Sequence, residues 1–156
     1  MKSAHPALAL VYSLAAVFLI LPGCGSVSPP RLSVGQAWMT DETVDGAKGA
    51  FELIAENPNR EVLLLRDVLY TVTADGTKVF EGRRAAGATL SSYGGQTLTI
   101  PFVATEGGAL RPGAVIRVTG DLEYSDTDAF SKTLMDAGLS DPSKSFQGEA
   151  TMVERR

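Results

Sequence analysis

This chain of 156 residues has one cysteine, one histidine and one tryptophan. A single cysteine excludes an intramolecular disulfide, so stability outside a reducing compartment must come from core packing. The histidine, His5, lies in the first few residues. Without histidine or a second thiol, the remainder lacks the commonest general base, the commonest zinc ligands and the strongest nucleophile. Most hydrolase and metalloenzyme chemistries are excluded on that ground. Basic residues are also in deficit, 14 against 18 acidic ones, for a net charge of −4. The mild acidic excess is spread along the chain and argues against a nucleic-acid surface, which needs a basic face. No apolar run reaches the roughly 20 residues that span a bilayer as a helix.

The longest apolar run is Ala7 to Leu21, preceded by Lys2 and followed by Pro22-Gly23-Cys24. A positive start, an uncharged apolar stretch and a helix-breaking pair before a small residue are the marks of an export signal. The string Leu21-Pro22-Gly23-Cys24 resembles the lipobox of bacterial lipoprotein signal peptides. That resemblance implies cleavage before Cys24, lipidation of its sulfur and attachment to a membrane through acyl chains. The alternative is an ordinary secretory signal with an incidental cysteine. Gly25 rather than an aspartate follows Cys24, which in some Gram-negative bacteria favours the outer membrane, facing the periplasm. Residues 1–23 are therefore expected to be removed, 24–32 to form a flexible tether rich in Ser and Pro, and 33–156 to form one domain. Cleavage leaves Cys24 to Arg156 and removes Lys2 but no acid, deepening the acidic balance. That length suits a single core.

The domain reads as strands. Phe51, Leu53 and Ala55 alternate with Glu52, Ile54 and Glu56, the period of a half-buried strand. Asn57-Pro58-Asn59 stops it, because Pro58 removes a donor and Asn59 tolerates left-handed geometry. Val62 to Leu65 and Val68 to Val72 are strand-like, and a bulge near Arg66-Asp67 reconciles their phases. Asp75-Gly76 suits a type I′ turn and so a tight hairpin. Leu98, Ile100 and Phe102 share a face, with Pro101 pointing to an edge strand or a bulge. Ile116, Val118, Leu122 and Tyr124 share another, with Gly120 expected as a bulge. Ser145 to Val153 is the last strand. Phe130, Leu134 and Ala137 fall at helical spacing, with Asp126 or Thr127 as cap and Gly138 past the end, so one short helix is expected near 127–138. The fold expected is an all-β, immunoglobulin- or fibronectin type III-like antiparallel sandwich. A small β-barrel is the alternative.

The ordered set Phe51-Glu-Leu-Ile-Ala-Glu-Asn-Pro-Asn59, Val62-Leu-Leu-Leu-Arg-Asp-Val-Leu-Tyr70, Asp75-Gly76 and Val79-Phe-Glu-Gly82 resembles the late-embryogenesis-abundant type 2 family. That family is also called the water-stress-and-hypersensitive-response (WHy) domain. Leu98-Thr-Ile-Pro-Phe-Val103, Ile116-Arg-Val-Thr-Gly-Asp-Leu122 and Ser145-Phe-Gln-Gly148 are similar to its later strands. The resemblance covers about residues 33–153. It implies a sandwich fold and a non-enzymatic role in desiccation or stress tolerance, with no catalytic residues and no cofactor. The motif positions Asn57, Pro58, Asn59, Tyr70, Asp75, Gly76 and Gly120 are expected to act structurally.

Other candidate sites have simpler explanations. Asp121, Glu123, Asp126 and Asp128 do not fit a calcium loop in either register and read as a solvated strand end leading into a helix start. Arg83-Arg84 and Arg155-Arg156 could touch anionic headgroups, but solubility suffices. Trp38 and Met39 read as packing residues. Ser91 to Gly95 reads as a loop and lacks the pattern of a nucleophile elbow. The partner expected is a membrane, through the N-terminal lipid. A protein partner in an envelope assembly, bound at a sheet edge or by the helix, is the rival reading.

Overall fold

A computed structural model describes residues 27–43, 46–104, 110–127, 133, 136–138 and 142–154. Cys24, Asp128 and the Arg155-Arg156 pair lie outside the described residues. Seven strands make up the described fold: β1 (Arg31–Thr43), β2 (Gly46–Glu56), β3 (Leu63–Ala74), β4 (Thr77–Leu90), β5 (Gly95–Ala104), β6 (Val115–Asp126) and β7 (Ser143–Glu154). Together they form one sheet in the order β4-β3-β6-β7-β1-β2-β5.

The expected sandwich of two separate antiparallel sheets is not what forms. β1 joins both halves, pairing antiparallel with β2 along most of its length and parallel with β7 at Ala37–Met152, Trp38–Val153 and Met39–Glu154. The sheet is therefore mixed and nearly barrel-shaped, closer to the barrel alternative. Register shifts between Val34 and Ala37 and between Met39 and Asp41 bend β1 enough to serve both halves. No ladder joins the edge strands β4 and β5 among the described residues. Side chains bridge that gap instead. The Tyr70 hydroxyl on β3 donates to the Pro101 carbonyl on β5, and the Phe51 and Tyr70 rings meet edge-on at 5.6 Å.

The alternation read from the chain sets the interior. Phe51, Leu53 and Ala55 are fully buried, as are Val68, Val72, Ile116, Val118 and Leu122; Ile100 and Phe102 are nearly so. Each of these side chains except the small Ala55 contributes about 1.5–3 kcal/mol relative to exposure. Trp38 and Met39 are buried. Pro101 lies on β5, a sheet edge, as its missing donor requires. The bulge near Arg66-Asp67 is present, where pairing steps from Leu65 to Asp67 against β4 and from Leu65 to Val68 against β6. Asp75 and Gly76 take φ of 46° and 86° in the two-residue β3–β4 turn, the geometry expected of the Asp-Gly pair.

Two further expectations need correction. Gly120 is not a bulge: β6 runs through it in unbroken register, opposite Tyr70 on β3 and Phe146 on β7. Ile116, Val118, Gly120, Leu122 and Tyr124 thus keep one face without an inserted residue. Glycine is required there by close approach, because a Cβ would strike the Leu69 carbonyl and sit 2.8 Å from the Phe146 ring. The helix near 127–138 is not among the described elements. Within that stretch Ala137 N donates to Thr133 O at 3.1 Å, one helical turn, and Gly138 has φ of 68°. The remainder of the stretch lies outside the described residues.

Candidate functional site

Two surfaces stand out, an open groove on the outer sheet face and a polar knot at one barrel end. The groove crosses β4, β3, β6 and β7 and has a volume of about 1080 Å³. Strand alternation builds it. Tyr70 and Phe146 turn inward in one cross-strand row with Gly82 and Gly120. The flanking residues of the same strands therefore turn outward. Leu69 and Thr71 on β3 and Thr119 on β6 form the floor; Glu81, Arg83, Asp121, Ser145 and Gln147 form the rim. Leu69 is 39% exposed, a large apolar side chain ringed by polar ones.

The rim is held by ion pairs and hydrogen bonds. Arg83 donates to Asp67 through Nε at 3.1 Å and Nη2 at 2.6 Å, and to Glu123 at 3.1 Å. Those carboxylates raise the Arg83 pKa above its ordinary value, the Asp67 hydrogen bond most. Ser145 Oγ donates to Asp121 at 2.6 Å, and Arg117 pairs with Glu149 at 2.6 Å. Lys78 beside Glu81 lowers the Glu81 pKa through a hydrogen bond at 2.8 Å. The acidic cluster is thus divided: Asp121 is engaged by Ser145 and Glu123 by Arg83. Charges of both signs surround a floor in which Leu69 is the one apolar side chain beside Thr71 and Thr119, an arrangement suited to a mostly polar partner surface.

The knot is built on Asn57-Pro58-Asn59. Asn57 is 3% exposed, and its amide donates to the carbonyls of Glu61 at 2.7 Å, Ser91 at 3.0 Å and Leu90 at 3.4 Å. Its oxygen accepts from Asn59 N and from the Asn59 amide, both at 2.9 Å. The first of these closes an Asx turn over Pro58. Asn59 also pairs with Ser28, donating to its carbonyl at 2.8 Å and accepting from its N–H at 2.9 Å. The β4–β5 turn completes the knot: Asn57 N donates to Gly94 O at 2.8 Å and Tyr93 N to Asn59 O at 2.9 Å. Tyr93 holds φ of 53°, a left-handed conformation that tyrosine seldom adopts, and is 72% exposed. Arg31, Glu56 and Asn57 join Pro58, Tyr93 and Gly94 around a cleft of about 450 Å³.

The structure therefore brings Asn57, Pro58 and Asn59 together and places Asp75-Gly76 at the opposite end of the barrel. Tyr70 and Gly120 share one row beneath the groove. Tyr70 is buried, which raises its phenol pKa, and the Arg84 charge offsets part of that rise. Burial and the nearby Asp126 charge raise the Tyr124 pKa. Sequence reading missed the groove, the Arg83 network and the Ser28–Asn59 pairing. The first two require knowing which strands are neighbours. The positive φ at Tyr93 had a faint signal in Ser91-Ser92-Tyr93-Gly94-Gly95, a turn-rich string around one aromatic residue.

Solved structures share this fold. The solution structure of a putative late embryogenesis abundant (LEA) protein, At2g46140.1, superposes with a TM-score of 0.52 at 15% identity, covering 94% of this chain and 86% of that chain. The solution structure of AT1g01470 from Arabidopsis thaliana gives a TM-score of 0.53 at 13% identity, covering 88% and 91%. No family model matches the chain, and no curated protein matches it. At such identities the likeness is one of fold, and the fold is LEA-like.

Proposed function

We propose that the protein is a lipid-anchored, non-enzymatic envelope domain of the late-embryogenesis-abundant type 2 class that protects or binds other components during dehydration or related stress. The observation that carries this reading is the LEA-like fold, shared with a putative LEA protein over 94% of the chain. The ordered motifs from Phe51 to Gly148 support it, as does Cys24 behind an export signal. In this reading the acyl chains on Cys24 hold the domain at a membrane surface, in a Gram-negative cell the periplasmic face of the outer membrane. The test is preservation of a labile enzyme through drying by the purified mature domain. Protection above an equal mass of albumin is expected, and protection no better than albumin sinks the reading. For the anchor, Cys24→Ser is expected to abolish acyl labelling and membrane retention together.

The groove favours a second reading, an interaction subunit of an envelope assembly. An exposed Leu69 inside a rim of fixed charges is the anatomy of a small interface, apolar at its centre and polar at its edge. Leu69→Glu separates the two. Loss of a stoichiometric partner from detergent-solubilised membranes favours the assembly subunit. Unchanged drying protection with no partner lost favours the protective role.

A further inference from the structure

Resting on the reading of Cys24 as the lipidated residue, we infer that the knot end of the barrel is a lipid-facing surface, held against the bilayer by Tyr93 and the cleft between Arg31 and Glu56. The first observation is a length. Cys24 lies four residues before Ser28, and a fully extended chain covers about 14 Å over that distance. Ser28 is not free to drift, because both its backbone groups are paired with Asn59. Val27 packs against the core and Pro30 is buried. The span available as a spacer is therefore short, and the anchor can reach only this end.

Strand register defines what else lies there. Arg31 pairs with Glu56 and Glu56 with Gly95, so the start of β1, the end of β2 and the start of β5 are together. The β4–β5 turn projects from the same end, carrying Tyr93. This independent observation points to lipid: a large aromatic side chain, 72% exposed, on a backbone with φ of 53° and braced by Asn59. An amphipathic ring presented in this way suits the headgroup layer, where the apolar ring is buried and the hydroxyl stays wet. The cleft beside it offers one guanidinium and one carboxylate, the complement of a zwitterionic headgroup. Among the described residues, Arg60, Glu61 and Asp126 also lie at this end and leave it no excess of positive charge. Contact with phosphatidylethanolamine or phosphatidylcholine therefore fits better than attraction to a strongly anionic surface.

The experiment uses the acylated full-length mature chain in nanodiscs of phosphatidylethanolamine and phosphatidylcholine containing a gadolinium-chelate lipid. Mass spectrometry reports acylation of Cys24, and paramagnetic broadening of amide signals reports which end faces the lipid. Twelve residues of β3 separate the barrel ends by about 40 Å, so broadening at 57–61 and 91–94 is expected to exceed that at 74–77 by about tenfold or more. Equal broadening at both ends of an acylated chain overturns the docking and leaves the anchor standing. An unacylated Cys24 overturns both. A second preparation inserts ten Gly/Ser residues between Gly25 and Ser26, removing the length constraint. The bias is expected to persist there and to vanish with Tyr93→Asn, a substitution that keeps the left-handed turn. Loss of the bias in the long-tether chain before Tyr93 is changed, or its survival after, overturns the role of this surface.

Discussion

Asn59 holds Ser28 through two hydrogen bonds, its amide donating at 2.8 Å and its oxygen accepting at 2.9 Å. The side chain thereby imitates one residue of a strand. It supplies the donor and acceptor that the chain before β1 would otherwise lack. Asn59→Ala removes both, together with the side-chain amide bond to Asn57, and leaves the Asn59 N–H bond to Asn57 in place. The expected result is a stability loss of about 1–3 kcal/mol in urea denaturation. Amide exchange at Ser28 should rise to the rate of an open chain, while that of the β2 amides follows global stability alone.

Asn57 sits deeper, and its amide donor matters more than its size. Its amide nitrogen serves three carbonyls, of Glu61, Leu90 and Ser91. Asn57→Asp places a second acceptor against those oxygens in a site where the side chain is 3% exposed. Destabilisation by about 3 kcal/mol is expected at neutral pH, and it should shrink in acid, where a protonated carboxyl regains one donor. Parallel denaturation curves at pH 4 and pH 7 check the direction.

Gly120 tests a steric argument. A Cβ there meets the Leu69 carbonyl and the Phe146 ring at 2.8 Å. The ring can rotate, whereas the carbonyl belongs to a paired strand. Gly120→Ala is expected to cost about 1–3 kcal/mol, with the shift in thermal midpoint checked by calorimetry. Gly76→Ala makes a useful contrast. Nothing lies within 4 Å of its Cβ position, but its φ of 86° is strained for an L residue. Loss there reflects backbone conformation alone.

Tyr70 links stability to alkaline pH. Its hydroxyl donates to Pro101 across the unpaired β4–β5 seam, and burial raises its pKa in the folded state. A folded pKa above the unfolded value near 10 means that the native state keeps the proton longer. The stability from this group is complete below pH 10 and is lost as pH rises through the folded pKa. Tyr124 acts in the same direction. Tyr70→Phe is expected to lower stability by about 0.5–1.5 kcal/mol at pH 7 and to flatten the decline above pH 10. An unchanged alkaline slope in the variant contradicts the assignment.

Much of the local structure was legible in the chain. The alternation from Phe51 to Glu56 identified a buried face, because a strand places successive side chains on opposite sides. Asp75-Gly76 identified its turn, because few other pairs accept two positive φ angles. The phase break at Arg66-Asp67 identified a bulge for the same geometric reason. Gly120 was misread because a glycine inside a strand pattern looks alike whether it marks a bulge or a close contact; only the position of Phe146 tells them apart. The site was less legible than the fold. Asn57-Pro58-Asn59 announced a turn, yet nothing near it announced Ser28, 31 residues away.

Residue order along this chain thus settled what depends on neighbours in sequence: the strands, their inward faces and the tight turn. Those features follow from backbone dihedrals and from hydrophobicity at short range. The closure into a mixed, nearly barrel-shaped sheet was decided elsewhere, where bent β1 meets β7 in parallel and Tyr70 spans the seam. The groove over Leu69 and the knot joining Ser28, Asn59 and Tyr93 were decided there too. Each depends on which distant strands become adjacent, and that choice is made by packing of the whole core at once.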